Sequence, residues 1–321
     1  MRVKSHPERA TAHAGGSAPW SWLAGRRARP VSLSESPSGG DGATIRPRPP
    51  VRGADASPAN PVAVDTADAR EVFLSVARCA NVARCLESDA PHPCREIVRY
   101  QIRTRGVEGY GEFQVPEPWV GEITVAPILF VSSNPSIGED RHAIGSSSDD
   151  ALWDSHHHAF GGGTRPYIIG GIRSTTPEGA RLKKVAYWVA VRSRARELIA
   201  DAVPGRDYAL TEVVHCKSRN EFGVADAATE CARRHLGRVL ALSPAPVVIV
   251  VGKTAREFFL GAEAAKPPRI QRRDLGGRPR LMAYVPLPAS WQPGPRTLGG
   301  LFTDEIGDLR RAAASARSPV G

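Results

Sequence analysis

The chain has 321 residues, 41% of them hydrophobic, with a formal net charge of +10 and a pI near 9.8. It is long enough for one large domain or two small ones, and no apolar run approaches the roughly 20 residues of a membrane span, so no membrane contact and a cytoplasmic location are expected. Five cysteines in such a length make no disulfide framework, and the basic balance points to an anionic partner, nucleic acid foremost, with a solvated basic surface as the plainer alternative.

Residues 1–65 are rich in Pro, Gly, Ser and Arg and lack periodicity. Such a segment buries too little apolar surface to offset its ordering entropy, and it is expected to be a disordered basic tail ahead of a single domain at 66–315. Ala67 to Leu86 reads as a helix with Val72, Val76, Ala80 and Ala83 on one side; Pro91-His-Pro93 ends it, and Arg95 to Arg103 forms a shorter one. Cys79, Cys85 and Cys94 fall in this region. Gly109 to Gly121, with Phe113 and Trp119, reads as a loop packed on a sheet.

Ile123 to Val131 reads as a strand that stops in Ser132-Ser-Asn-Pro-Ser136. Pro135 fixes its own φ and keeps Asn134 out of the helical region, so these polar residues sit on a sharp turn at the strand's carboxyl end. In open α/β sheets that edge binds ligands. Residues 141–180 read as loop, with Trp153, Phe160 and three consecutive histidines, His156 to His158, which point in different directions and make a poor ligand set for one metal.

Arg181 to Ala202 reads as a basic amphipathic helix burying Val185, Trp188, Val189 and Leu198. Tyr208 to His215 reads as a strand, and Ala225 to Leu242 as a helix with Cys231, Leu236, Val239 and Leu240 inward. Val247 to Val251 is a β-branched run bounded by Pro246 and Gly252, the mark of a central strand covered on both faces. Lys253 to Leu260 starts a helix, Leu281 to Val285 is the last strand, and a helix from Leu301 to about Ala314 closes the domain. This alternation predicts an α/β fold, a three-layer α/β/α sandwich around a mostly parallel sheet. No Gly-x-Gly-x-x-Gly or Walker pattern follows a strand, which disfavours a dinucleotide or P-loop site.

The succession Asn134-Pro135, Glu212-Val-Val-His-Cys216, Cys231 and Pro246-to-Gly252 resembles the uracil-DNA glycosylase superfamily over roughly residues 115–300. Asn134-Pro135 is similar to the first motif of the mismatch-specific branch, and the stretch from Glu212 to Gly252 to the iron–sulfur branch. The resemblance implies a uracil-DNA glycosylase-like fold and a monomeric, DNA-binding hydrolase that excises a deaminated or mismatched base. In that reading Asn134 holds the attacking water, and Ser133, Pro135, Ser136, Phe160 and Glu212 surround the base. It further implies a 4Fe-4S cluster on Cys85, Cys94, Cys216 and Cys231, with Cys79 as an alternative ligand.

Two positions and one missing motif depart from the family pattern. Leu287 stands where the last motif has a histidine that donates to the departing base. Glu212 stands where the iron–sulfur branch has an asparagine. An ionised carboxylate only accepts hydrogen bonds and would repel a uracil carbonyl, unless burial kept it protonated. The family's amino-terminal Cys-x-x-Cys is absent, which leaves buried core thiols as the other reading of these cysteines. Leu287 and Glu212 also admit a DNA-binding protein of this fold without glycosylase activity.

Overall fold

The computed structural model describes residues 66–138, 143–161, 168–176, 178–265, 269–287 and 295–317; the basic tail expected at 1–65 lies outside the described residues. The chain enters through α1 (Thr66–Ala77), α2 (Ala80–Glu87) and α3 (Arg95–Arg105). The single helix expected over 67–86 is broken at Arg78-Cys79. There the Arg78 guanidinium donates to the Gly145 carbonyl at 2.7 Å and to Asp149, anchoring the break to a distant loop.

Strand β1 (Ile128–Ser132) begins later than expected, after the packed segment carrying Phe113, Trp119 and Ile123, all fully buried. The expected loop after it contains helix α4 (Asp149–His157), capped by Ser148, whose hydroxyl accepts from the Ala151 amide. It also contains two short strands, β2 (Ile168–Ile169) and β3 (Arg173–Thr175). The long basic helix is corrected at its start. Arg181–Lys184 is a strand, β4, pairing antiparallel with β3, and helix α5 runs only over Ala186–Leu198. Val191, Ala195 and Leu198 are its buried side, whereas Val189, expected inward, is exposed.

After β5 (Tyr208–Glu212), α6 (Val224–Cys231) continues through a π-helical stretch at Ala232–Leu236 into α7 (Gly237–Leu242). β6 (Val247–Val251) and α8 (Lys253–Leu260) follow where expected. The last strand is longer than expected and is the second arm of a hairpin, β7 (Gln271–Asp274) with β8 (Pro279–Val285). Two helices, α9 (Leu298–Leu301) and α10 (Ile306–Ser315), complete the described chain.

The main sheet has the order β5-β1-β6-β8-β7, all parallel except the β7 edge. Side chains alternate between its faces as a period of two demands. Leu129, Val131, Val248 and Val250 pack with α1, α2, α3 and α6–α7, while Ile128, Phe130, Val247 and Ile249 pack with α5 and α10. The expected α/β architecture, a mostly parallel sheet with helices on both faces, is therefore present. The chain adds β5 on one side of β1 and then returns to place β6 on the other. This reversal opens a crevice at the carboxyl end of β1.

Among the described residues no helix is long and apolar enough to cross a membrane.

Candidate functional site

The crevice is a cleft of about 810 Å³ beyond the ends of β1 and β5. Ser133, Asn134, Pro135, Ser136, Glu212 and Leu287 all line it, so six of the positions singled out in the sequence converge there. Phe160 does not. Its ring packs edge-on to Tyr208, 5.6 Å between centroids, and its Cβ closes on Gly205, so it belongs to the layer beneath the sheet. The aromatic residues at the cleft are Tyr187 and Trp188, from α5.

Asn134 is held by its amide nitrogen. Nδ2 donates to the Pro135 carbonyl at 2.8 Å, to the Ser218 hydroxyl at 3.1 Å and to the Ser218 carbonyl at 3.3 Å. Two of these partners are carbonyls, which only accept, so the nitrogen and not the oxygen must face them. Oδ1 is left as the acceptor that Asn134 brings to the cleft. Leu287, after β8, rests its side chain against Gly252, where a Cβ would come within 3.0 Å of Leu287 Cγ. Gly252 has φ +91°, which also favours glycine.

The floor of the cleft is charged in a way the sequence did not announce. Ser132 and Glu212 are register partners at the last rung of the β1–β5 ladder. The Ser132 hydroxyl donates to Glu212 Oε1 at 3.5 Å, while Oε2 is buried and has no partner. Glu117 Oε2 accepts from Lys217 Nζ at 2.8 Å and lies 3.6 Å from His156 Nε2. Burial raises Glu117, but the charges of Lys217 and His156 outweigh it and leave this carboxyl below its ordinary range. Glu212 goes the other way: burial first, then the neighbouring charge of Glu117, push it well above the ordinary carboxylate range. Lys217 is committed to Glu117, so Glu117 is drawn toward its ionised form and Glu212 toward its protonated one. Glu117, Lys217 and Tyr187 escaped the sequence reading, and His156 was read only as one of three histidines unsuited to a metal, because their meeting depends on four separate elements; only the Lys in Cys216-Lys217 lay near a motif.

The rim adds exposed cations. Arg181, Lys183 and Lys184 of β4 border the cleft. Behind it, His157 stacks on Trp153 at 4.0 Å and accepts from Trp119 Nε1 at 3.1 Å. Burial pulls His157 down to about 4, so it is a neutral acceptor within the packing. His156 and His157 thus face different partners, as expected, whereas the rings of His157 and His158 lie 4.8 Å apart and both pack on Trp153.

All five cysteines are buried. Cys79, Cys94, Cys216 and Cys231 line one small pocket together with His215 and His235. Cys85 is not among its lining; its Sγ lies 3.5 Å from His92 Nδ1. The set brought together therefore contains Cys79, the alternative, in place of Cys85. Burial and the neighbouring thiols push Cys94 up to about 12, and burial does the same to Cys231. Among the described residues, no three His, Cys, Asp or Glu side chains converge as ligands of a single metal ion. A polynuclear iron–sulfur cluster is wider than one ion and takes four thiolates, and in number and kind these four cysteines fit it.

No protein-family model matches the chain, and no curated protein matches it.

Proposed function

We propose that the protein is a DNA glycosylase that hydrolyses the N-glycosidic bond of a uracil-like base, with the base seated in the cleft and water held by Asn134. The observation that carries this reading is the fixed amide of Asn134, which brings one acceptor to the carboxyl end of β1 in the cleft that the buried carboxyl of Glu212 also lines. As the C1′–N bond breaks, the sugar becomes cationic and the base leaves with the electron pair. A weak acceptor such as an amide oxygen suffices to orient water toward so electrophilic a carbon. The water's hydroxide adds to C1′, and its proton ends on the departed base. Lys217, though paired with Glu117, adds positive potential where negative charge develops. Arg181, Lys183 and Lys184 are suited to phosphates of an extruded strand.

The test is incision of oligonucleotides carrying uracil, hypoxanthine, xanthine or a mismatch, followed by alkaline cleavage of the abasic product. Strand breakage with at least one lesion is expected. A second reading, DNA binding without excision, is favoured by Leu287, which makes one cleft wall apolar where a donor would assist the leaving base. Salt-sensitive binding of all four substrates with no breakage would select it.

Cys79, Cys94, Cys216 and Cys231 would hold a 4Fe-4S cluster as part of this reading. Bound there, the cluster would supply a covalent tie between the amino-terminal helices and the segment following β5. Protein purified without oxygen should be brown, with about four irons per chain. Cys79→Ser and Cys216→Ser should lose the colour, and Cys85→Ser should keep it. Colourless, iron-free protein that melts cooperatively would show that the five thiols are core.

A further inference from the structure

The segment after β5 stays joined to the turn that carries Asn134. The Val213 and Val214 amides donate to the Ser132 and Ser133 carbonyls at 2.9 Å, and the Ser218 amide donates to the Pro135 carbonyl at 3.1 Å. Two residues further on, the backbone turns left-handed at consecutive positions, Asn220 with φ +53° and Glu221 with φ +55°. Among the described residues no other non-glycine position has a positive φ. Asparagine tolerates this region, but glutamate rarely enters it, and such strain persists only where the surroundings hold it. Here the Glu221 carboxyl is turned into the protein. Oε2 accepts from the Thr254 hydroxyl, and Oε1 is closed off from water. Thr254 lies after β6 in the first turn of α8, where the helix dipole favours a negative group.

We propose that Glu221 is a positioning residue: its bond to Thr254 latches the left-handed turn, and the latched turn holds Ser218 against the side-chain amide of Asn134. The end of β6 thereby helps to orient a side chain at the end of β1. The inference takes its catalytic consequence from the glycosylase reading, but the latch itself does not depend on that reading. Ser218 supplies two of the three acceptors on Asn134 Nδ2, its hydroxyl and its carbonyl, while the Pro135 carbonyl is the third. Without the latch, residues 220 and 221 relax toward negative φ and carry the preceding peptide groups with them. Asn134 then keeps one acceptor, its amide turns over, and Oδ1 loses its fixed direction.

The experiment follows the side-chain amide hydrogens of Asn134 by NMR in full-length protein labelled with ¹⁵N-asparagine. The chain has four asparagines, Asn60, Asn81, Asn134 and Asn220, and the signal lost in Asn134→Ala identifies the one wanted. Asn81, whose Nδ2 donates to Glu230 Oε1 at 3.3 Å, serves as an internal control away from the turn. Thr254→Val, nearly isosteric, and Glu221→Ala should each speed exchange of the Asn134 hydrogens at least about tenfold and leave those of Asn81 unchanged, the mark of a local opening. Glu221→Gln keeps an acceptor for Thr254 and should exchange like wild type. On a uracil-containing strand, Thr254→Val should lower the saturating single-turnover rate about tenfold with the half-saturating concentration unchanged, and Glu221→Gln should retain the rate.

Unchanged exchange at Asn134 in both Thr254→Val and Glu221→Ala would overturn the latch and leave the glycosylase reading standing. Equal acceleration at Asn81 and Asn134 would also overturn it, since the loss would then be one of global stability. Release of Asn134 in Glu221→Gln as complete as in Glu221→Ala would do the same, because the bond to Thr254 would not be what holds the turn. Exchange as expected, with no excision of any lesion by wild type, would support the latch and sink the glycosylase reading alone.

Discussion

Asn134→Ala should lower single-turnover excision by about two to three decades, the usual cost of losing a fixed polar group or misplacing a reactant at the reacting centre. The argument lies in the orientation of the amide. Its nitrogen is committed to Pro135 and Ser218, so alanine removes two things at once: the acceptor proposed to hold water and a tie between the turns after β1 and β5. The second loss should cost roughly 1 kcal/mol of stability. Asn134→Asp separates the two. An aspartate keeps oxygen at Oδ1 but sets a second oxygen against the Pro135 and Ser218 carbonyls, which offer no hydrogen. It should therefore destabilise the fold more than alanine does, even if water can still be held. Rates would be read from quenched single-turnover incision and stabilities from urea melts. Wild-type turnover by Asn134→Ala would remove this residue from the mechanism, and a more stable Asp variant would show that the amide is oriented the other way.

The largest effect on stability is expected at Arg280, far from the cleft. Its side chain is 2% exposed and donates to four main-chain carbonyls: Leu275 at 2.8 Å, Ala245 at 3.0 Å, Leu240 at 2.7 Å and Ser243 at 2.7 Å. Leu240, Ser243 and Ala245 lie at the carboxyl end of α7 and the turn that leads into β6, and Leu275 lies in the β7–β8 turn, so the side chain ties the two together. The planar guanidinium reaches all four at once. Burial lowers Arg280 only to about 10, so it is charged at neutral pH. Arg280→Ala removes this donor from all four and leaves only Leu240 with a second one, from the Ser243 amide, and should cost about 3–5 kcal/mol, a large share of a typical domain's stability. For a domain of this size that is roughly 10 °C in melting temperature. Arg280→Lys should recover only part, since an ammonium lacks the fork. A midpoint within a degree or two of wild type for the alanine variant would mean that water satisfies the carbonyls instead.

Local patterns carried the central strands well. Val247–Val251 is bounded by proline and glycine and reads the same in sequence and structure because nothing non-local competes with a β-branched run. The turn at Asn134-Pro135 was legible for the same reason, since proline constrains its own neighbourhood. Arg181–Lys184 was not. Arg, Leu and Lys are good helix formers, and only pairing with Arg173–Thr175 makes the segment a strand. Phe160 was assigned by analogy of position, but packing against Tyr208 took it out of the cleft. Cys79 was placed in mid-helix by a periodicity running through Arg78, whereas the break at that residue places it at the head of α2, in the pocket with Cys94, Cys216 and Cys231. The floor of the cleft was hidden most completely. Glu117 and Lys217 stand a hundred positions apart, and no local signal marks either as the other's partner.

That floor and the rim above it hold charge under different dielectric regimes. The cations of β4 face solvent, where mobile ions screen beyond about 8 Å at physiological ionic strength. The Glu117–Lys217 pair is enclosed, with side chains 13% and 6% exposed, and counterions cannot intervene at 2.8 Å. Ionic strength therefore acts on the two separately: it weakens any attraction of the rim for an anion, and leaves untouched the field that raises the proton affinity of Glu212.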